Sequence, residues 1–322
     1  MDRKELIFLE PLFKQMIWGG SRLGSVWGYE VPGSGTGECW AVSAHENGDC
    51  KVAAGSFAGK TLSRLWKEEP QLFGNVDKEG KLREEKFPLL TKIIDAKEDL
   101  SIQVHPDDAY AGLHENGSLG KTECWYILDC PADATLVIGH HASNRKEMEE
   151  MISQGRWKEF LREVPVKKGD FIQIDPGTLH AIKGGIMLLE TQQSSDVTYR
   201  VYDYDRLSDG KPRQLHIRQS MAVMQVPAAP VEECVFPAKE SVANEPQLMM
   251  ENAYYQVSRL EVKGQAEWLP DKDFYIVSVL EGGGAVSGTE VKKGDHFIIP
   301  VEFGQVILEG EMSLLLSAPG KK

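Results

Sequence analysis

The sequence predicts a mainly β protein that consists of two related sandwich or barrel units and a few short helical segments. Most apolar stretches are short and end at Gly, Pro, Asp or Asn, as strands followed by turns do. The 322-residue chain also contains 31 glycines, which suits many tight turns. The pentapeptide Val-Lys-Lys-Gly-Asp occurs at 166–170 and again at 291–295, each time before an apolar strand and a Pro-containing turn. This repeat in a matching context indicates two copies of one β-unit.

The elements follow from local patterns. Helical spacing of apolar residues predicts helical segments near 61–73, 143–164 and 214–226. Residues 227–246 are rich in Pro, Ala and Glu and are predicted to be a linker. We therefore expect a first unit over 1–226 and a second over 247–322. The clearest predicted strands are 134–139, 170–175, 186–191, 197–204, 274–280, 296–300 and 312–317.

Charge restricts the classes of partner. The 36 Lys and Arg stand against 49 Asp and Glu, a formal net charge of −13. Such a surface repels phosphate backbones and anionic lipid, so neither nucleic acid nor a membrane is expected as a partner. A few basic side chains inside a cleft still suit a small anionic substrate. The oligomeric state is left open.

The termini and cysteines indicate a cytoplasmic protein. The first twelve residues carry too many charges for a signal peptide, and no apolar stretch approaches the roughly 18 residues of a membrane span. The five cysteines are an odd number and include no CxxC pair, so reduced thiols are expected.

Three segments supply residues that bind metals. Gln103 and His105 alternate along a predicted strand and share a face. Glu123 lies in an apolar strand, where a carboxylate is costly to bury without a partner. His180 ends a turn that contains Pro and Gly. Two imidazoles, one carboxylate and one amide oxygen suit Zn²⁺, and also Fe²⁺ or Mn²⁺. Most other histidines fit structural roles, and the turn signal after His105 leaves that role open for it as well.

Two cations accompany this set. Lys121 is two residues before Glu123 and shares its strand face, where a lowered pKa would suit acid–base chemistry. Arg200 alternates with Thr198 and Tyr202 on another strand, a pattern that favours a pocket lining. In the second copy of the repeat, Gln305 stands where His180 stands in the first, so we expect no metal there.

The motifs together resemble the type I mannose-6-phosphate isomerases, in their compact bacterial form. The resemblance covers about residues 5–210 and is carried by the runs QVHPDD at 103–108, GKTECWY at 120–126, PGTLHA at 176–181 and TYRVYD at 198–203. It implies two cupin-type jelly-roll units with a small helical insertion, the second unit being degenerate. It also implies a zinc enzyme, with one Zn²⁺ per chain, that interconverts mannose 6-phosphate and fructose 6-phosphate. The residues implied are zinc ligands at Gln103, His105, Glu123 and His180, catalytic Arg200, and Lys121 in substrate handling, with Lys121 and Arg200 both candidates for binding the phosphate.

Other interpretations remain open. A cupin oxygenase would hold Fe²⁺ on two histidines and one carboxylate, but Gln103 would fill a position that O₂ needs. A non-catalytic sugar-binding cupin would not need Lys121 or Arg200. A cupin isomerase acting on glucose 6-phosphate has the same residue types.

Overall fold

The computed structural model describes residues 5–208 and 210–320. Its helices are α1 (Arg22–Ser25), α2 (Leu62–Glu68), α3 (Asp108–His114), α4 (Arg145–Ser153), α5 (Trp157–Phe160), α6 (Ile217–Val223) and α7 (Val231–Cys234), with a 3₁₀ turn at Pro70–Phe73. The strands of the first two hundred residues are β1 (Ile7–Glu10), β2 (Leu12–Gln15), β3 (Thr36–Val42), β4 (Ala44–His45), β5 (Gly48–Asp49), β6 (Lys51–Val52), β7 (Leu89–Asp95), β8 (Ile102–Val104), β9 (Glu123–Asp129), β10 (Thr135–His140), β11 (Leu161–Pro165), β12 (Phe171–Ile174), β13 (His180–Ala181), β14 (Met187–Gln193) and β15 (Tyr199–Tyr202). They are followed by β16 (Leu207–Ser208), β17 (Lys211–Pro212), β18 (Val235–Phe236), β19 (Gln247–Glu251), β20 (Tyr255–Trp268), β21 (Tyr275–Val286), β22 (Thr289–Lys292), β23 (His296–Ile299) and β24 (Val306–Pro319).

The prediction of a mainly β protein is confirmed. Three sheets form successive layers. A five-stranded sheet in the order β11-β10-β13-β8-β15 faces a seven-stranded sheet in the order β18-β12-β9-β14-β7-β3-β2. The other face of the seven-stranded sheet packs on an eight-stranded sheet, which contains β19 to β24. The seven-stranded sheet is therefore covered on both faces, and β14 is buried along its whole length.

The N-terminal strand belongs to the C-terminal sheet. In β1, Ile7 pairs with Ile298 of β23, while Leu9 pairs with Val52 of β6. Chain ends that are far apart in sequence thus share one sheet. The division of the chain at 226 and 247, and the count of two jelly-roll units, stay predictions.

The repeated pentapeptide forms the same turn in both places. Gly169 and Gly294 both have φ +89°, a left-handed conformation that favours glycine. Asp170 accepts a hydrogen bond from the backbone N–H of Lys167, and Asp295 accepts one from that of Lys292. The sequence repeat therefore marks a repeated structure, in which each turn leads into an equivalent strand, β12 or β23.

Two of the predicted helical segments agree with the structure, and one is partly wrong. Helices lie within 61–73 and 214–226. The segment 143–164 holds α4 and α5 but ends in the strand β11, which pairs with β10. Gly155, at φ +66°, separates the two helices, and Leu161 already has extended backbone. None of the helices in the described part of the chain has the length and apolar character needed to cross a membrane.

The first half of the segment predicted as a linker packs against the seven-stranded sheet. It contains α7 and β18, and β18 pairs with β12 at the edge of the seven-stranded sheet. Cys234 of α7 is buried in the core between the five- and seven-stranded sheets. The composition of this segment indicates a linker. Its contacts with the seven-stranded sheet become visible only in the packed structure.

Candidate metal centre and substrate cleft

Two facing sheets deliver the predicted metal ligands to one point. In the five-stranded sheet, Gln103 of β8 lies directly opposite His180 of β13, so both side chains leave the same face. His105 is two residues beyond Gln103 and points the same way. Glu123 begins β9 of the seven-stranded sheet, which packs against that face. The ligand candidates from both sheets therefore meet in the interior between them.

The three side chains His105, Glu123 and His180 are buried, and their ligand atoms all lie within 4.8 Å of one another. Nε2 of His105 is 3.5 Å from one carboxylate oxygen of Glu123, and Nε2 of His180 is 3.3 Å from the other. The side-chain amide nitrogen of Gln103 is 3.2 Å from Nε2 of His180 and 3.5 Å from Nε2 of His105. All four predicted ligands are thus brought together.

Backbone carbonyls fix the tautomer of both histidines. Nδ1 of His105 lies 2.8 Å from the carbonyl oxygen of Val197, and Nδ1 of His180 lies 2.9 Å from that of Thr178. A carbonyl only accepts, so each Nδ1 carries the proton and each Nε2 presents a lone pair to the cluster. This is the orientation in which histidine binds a metal.

The electrostatics of the cluster fit a cation. Burial lowers the pKa of His180 to about 4, and burial together with the nearby Lys121 lowers the pKa of His105 well below its usual value. Both imidazoles are therefore neutral, as ligands must be. Oε1 of Glu123 is buried and has no hydrogen-bond partner among residues 5–208 and 210–320. A 180° turn of the Gln103 amide would present its oxygen beside these groups. Two imidazoles and two oxygens fit a divalent metal ion.

Lys121 contacts this cluster directly. Its ammonium group donates to Oε2 of Glu123 and lies 3.4 Å from Nε2 of His105. The side chain is buried, and burial lowers the pKa of Lys121 to about 8. The structure thus places a buried amine beside the ligand candidates, as the alternation of residues 121 and 123 predicts, although β9 itself begins only at Glu123.

Two further buried charges were not among the residues predicted from the sequence. Glu190 of β14 lies 3.5 Å from the Lys121 ammonium and 3.6 Å from that of Lys92 on β7, and it accepts from the Trp125 indole at 3.2 Å. Burial raises the pKa of Glu190, but Lys121 and Lys92 outweigh it and lower the pKa below its usual value. A charged residue inside an apolar strand is the signal that would have found both, as it found Glu123.

Arg200 lies in the same row of side chains as two ligand candidates. It is directly opposite Gln103 in the pairing of β15 with β8. Its guanidinium is half-buried and donates to the Ser101 hydroxyl and to the backbone carbonyl of Gln214, at 3.3 and 2.9 Å. Burial, and then the neighbouring Arg213, lower the pKa of Arg200.

A cluster of arginines surrounds a single carboxylate beside this row. Asp203 accepts from Arg206 at 2.6 Å and from Arg213 at 2.5 and 2.7 Å. With Arg200 close by, three guanidinium groups stand near one carboxylate. These guanidinium groups place positive charges beside the row, although the whole chain is strongly acidic.

A cleft of about 640 Å³ adjoins the cluster, a volume within the range usual for small-molecule sites. It is lined by 194–199, which includes Val197, the acceptor of the His105 proton. His45 and His216 also line it, and His216 accepts from the backbone N–H of Arg200. His45 and His216, which are among the histidines expected to have structural roles, thus border the cleft.

Three other histidines have surroundings that do not include the cluster. His114 is exposed, and His140 stacks on Phe160. His296 is buried in the C-terminal sheet between Tyr29 and Ser278. Gln305, the counterpart of His180 in the repeat, donates to Glu267 near the surface.

Comparison with known proteins gives matches along the whole chain. The family model for the type I phosphomannose isomerase catalytic domain matches residues 6–126, and the model for the mannose-6-phosphate isomerase cupin domain matches residues 245–319. The chain is 47% identical over 319 residues to the mannose-6-phosphate isomerase ManA of Bacillus subtilis, covering 97% of this chain and 98% of that protein. It is 42% identical over 319 residues to a mannose-6-phosphate isomerase of Streptococcus mutans, covering 97% of this chain and 98% of that protein.

A solved structure supports the same grouping. The crystal structure of the mannose 6-phosphate isomerase from Bacillus subtilis superimposes with a TM-score of 0.87 at 42% identity, covering 97% of this chain and 99% of that one. The family resemblance predicted from the sequence motifs is therefore confirmed. The chain belongs to the type I mannose-6-phosphate isomerase family.

Proposed function

We propose that this protein interconverts mannose 6-phosphate and fructose 6-phosphate, with one zinc ion per chain held by Gln103, His105, Glu123 and His180. The observation that carries the proposal is the convergence of two neutral imidazole Nε2 atoms on the buried carboxylate of Glu123. Relatives that match nearly the whole chain are named for this activity, which supports the choice of substrate.

The reaction moves a proton between C1 and C2 of the sugar and another between the two oxygens. When bound, the metal ion supplies positive charge that stabilises negative charge developing on the sugar oxygens. In our proposal Lys121 holds and moves a proton at Nζ. Its amine is buried beside the ligand candidates and away from bulk water, which supports this role.

Arg200 has a different task in the proposal. A guanidinium stays protonated in proteins, so it stabilises charge and does not act as a base. Its position opposite Gln103, on the face that carries the ligand candidates, supports a role at the bound sugar phosphate. The guanidinium groups of Arg206 and Arg213, which pair with Asp203 nearby, support binding of an anionic substrate at this place.

The free thiols support the proposed location. All five cysteines are free, four of them buried, which suits a reducing compartment such as the cytoplasm.

The test is direct. Purified protein is given mannose 6-phosphate, and formation of fructose 6-phosphate is followed before and after chelation, alongside elemental analysis. We expect turnover that is lost with the chelator and restored by Zn²⁺, with one metal ion per chain. No turnover by a protein that holds one metal ion per chain would contradict the proposal. Oxygen uptake with bound iron would then indicate an oxygenase, and binding of sugar without chemistry a binding protein.

A further inference from the structure

We propose that Gln192 is a specificity-determining residue, whose side-chain carbonyl oxygen accepts a hydrogen bond from a hydroxyl group of the bound sugar. The inference rests on the proposed function, because it takes a sugar phosphate as the substrate. It assigns a role to a residue outside the ligand set and outside the two cations.

The orientation of the Gln192 amide is fixed by its nitrogen. Nε2 donates to the backbone carbonyl of Gln193 at 2.8 Å and to that of Ser195 at 2.6 Å. Only the NH₂ group can donate to two carbonyls, so the nitrogen and oxygen cannot exchange places. The oxygen must therefore point away from this bend of the chain.

That oxygen has no partner within the described part of the chain. The Gln192 side chain is completely buried, and its Oε1 makes no hydrogen bond. A buried acceptor without a donor is unfavourable, and most such atoms in proteins are paired. A donor from a bound molecule would satisfy it.

The position of Gln192 makes sugar the natural source of that donor. Gln192 of β14 lies directly opposite Glu123 of β9, so its side chain leaves the sheet on the same face as the ligand candidate. The chain then continues into Ser194 and Ser195, which line the cleft. Gln192 is thus on the sheet face of the ligand candidate Glu123 and two residues before the segment that lines the cleft. A sugar hydroxyl held by the metal centre and this segment would be the donor.

The buried hydroxyl of Thr91 offers a matched control. Its Oγ1 is also buried and makes no hydrogen bond to the residues that the structure describes. Thr91 of β7 pairs with Thr191, whose hydroxyl lies 3.2 Å from that of Ser317 in the C-terminal sheet. Thr91 therefore belongs to the face turned away from the metal centre, and its oxygen should not affect the substrate.

The experiment combines variants with altered substrates. Conversion of mannose 6-phosphate and of its 3-deoxy and 4-deoxy analogues is measured for the wild type, Gln192→Met, Gln192→Glu and Thr91→Val. Gln192→Met and Gln192→Glu both lose the two amide donors to the chain, but only Gln192→Glu keeps an acceptor. A loosened bend slows all three substrates alike, whereas loss of the acceptor changes the ratio between intact and deoxy substrate.

For the wild type, we expect kcat/KM to be about 10-fold or more lower with one deoxy analogue than with intact mannose 6-phosphate. That analogue lacks the hydroxyl that pairs with the buried acceptor. The same penalty should persist in Gln192→Glu and Thr91→Val and should vanish in Gln192→Met. An equal penalty in the wild type and Gln192→Met, or no penalty in the wild type, would overturn the inference. If Gln192→Met does not fold, Gln192→Glu decides the matter. Loss of the penalty on the deoxy analogue in folded Gln192→Glu would then overturn the inference. A wild type that does not convert intact mannose 6-phosphate contradicts the proposed function itself.

Discussion

Arg200 lies directly opposite Gln103 in the register of β15 and β8, and their side chains leave the sheet on one face. His180 is opposite Gln103 on its other side. One row across three strands therefore carries two ligand candidates and the proposed catalytic cation. This arrangement connects the metal centre to the arginine cluster around Asp203.

Replacement of Arg200 should impair the reaction more than the fold. Arg200→Ala removes a fixed positive charge from the row, and we expect kcat to fall about 100-fold or more. Steady-state kinetics on mannose 6-phosphate measures this, with thermal unfolding as a check on structure. Arg218→Ala is the control, because Arg218 is exposed on α6. Equal activity of the Arg200→Ala variant and the wild type would remove Arg200 from the mechanism.

His180 and Gln305 occupy equivalent positions in the two copies of the repeat. The substitution His180→Gln therefore gives the first copy the residue type of the second. Loss of a residue that only hydrogen-bonds to a metal ligand weakens metal binding roughly 10–100-fold. His180→Gln removes one imidazole of the cluster itself, so we expect a larger loss of affinity. Titration of metal-free protein with Zn²⁺ measures the change. His114→Gln, at an exposed position, should bind as the wild type does. Unchanged affinity in His180→Gln would exclude His180 as a ligand.

The buried carboxylate of Glu190 compensates two buried cations. Glu190→Gln leaves Lys121 and Lys92 without that charge, and we expect the free energy of unfolding to fall by about 3 kcal/mol. Urea unfolding measures the loss. Glu150→Gln breaks an exposed pair with Lys146 and should change stability by less than about 0.5 kcal/mol. Similar losses of unfolding free energy in the two variants would show that Glu190 does not stabilise the buried Lys121 and Lys92.

The two copies of the repeated turn should differ in how strongly they depend on aspartate. Asp170 is buried and accepts from the backbone N–H groups of Lys167 and Ala238. Asp295 is less buried and accepts from that of Lys292. We expect Asp170→Ala to cost about 2 kcal/mol and Asp295→Ala about 1 kcal/mol, because more buried donors lose their acceptor in the first case. Urea unfolding decides this, and a larger cost at Asp295 would contradict the account.

His296 should make the protein sensitive to acid. Burial lowers its pKa from 6.5 to about 3, so the folded protein keeps it neutral while the unfolded chain takes up a proton below about pH 6.5. Its contribution to stability is therefore complete above pH 6.5 and is lost as the pH falls toward 3. Between pH 7 and pH 5 the wild type should lose about 2 kcal/mol more than His296→Gln. Equal losses measured by urea unfolding at the two pH values would show that His296 does not titrate in this way.

The sequence by itself determined the mainly β class, the repeated turn and the four ligand candidates. These features depend on local patterns. Glycine at a left-handed turn is visible at Gly169 and Gly294, and a charge in an apolar strand is visible at Glu123. The row of side chains on one strand face follows from alternation, so the placement of Gln103 with His105 and of Lys121 with Glu123 could also be predicted.

Only the tertiary structure decided what lies across from these residues. The pairing of Gln103 with both His180 and Arg200 depends on strand register between segments far apart in sequence, which alternation within one strand does not specify. The same is true of Ile7 in the C-terminal sheet and of Glu190 between Lys121 and Lys92. Burial and partners of a polar atom are properties of the packed layers. For this reason the fixed orientation of the Gln192 amide, whose oxygen has no partner among the described residues, can be seen only in the assembled sheets.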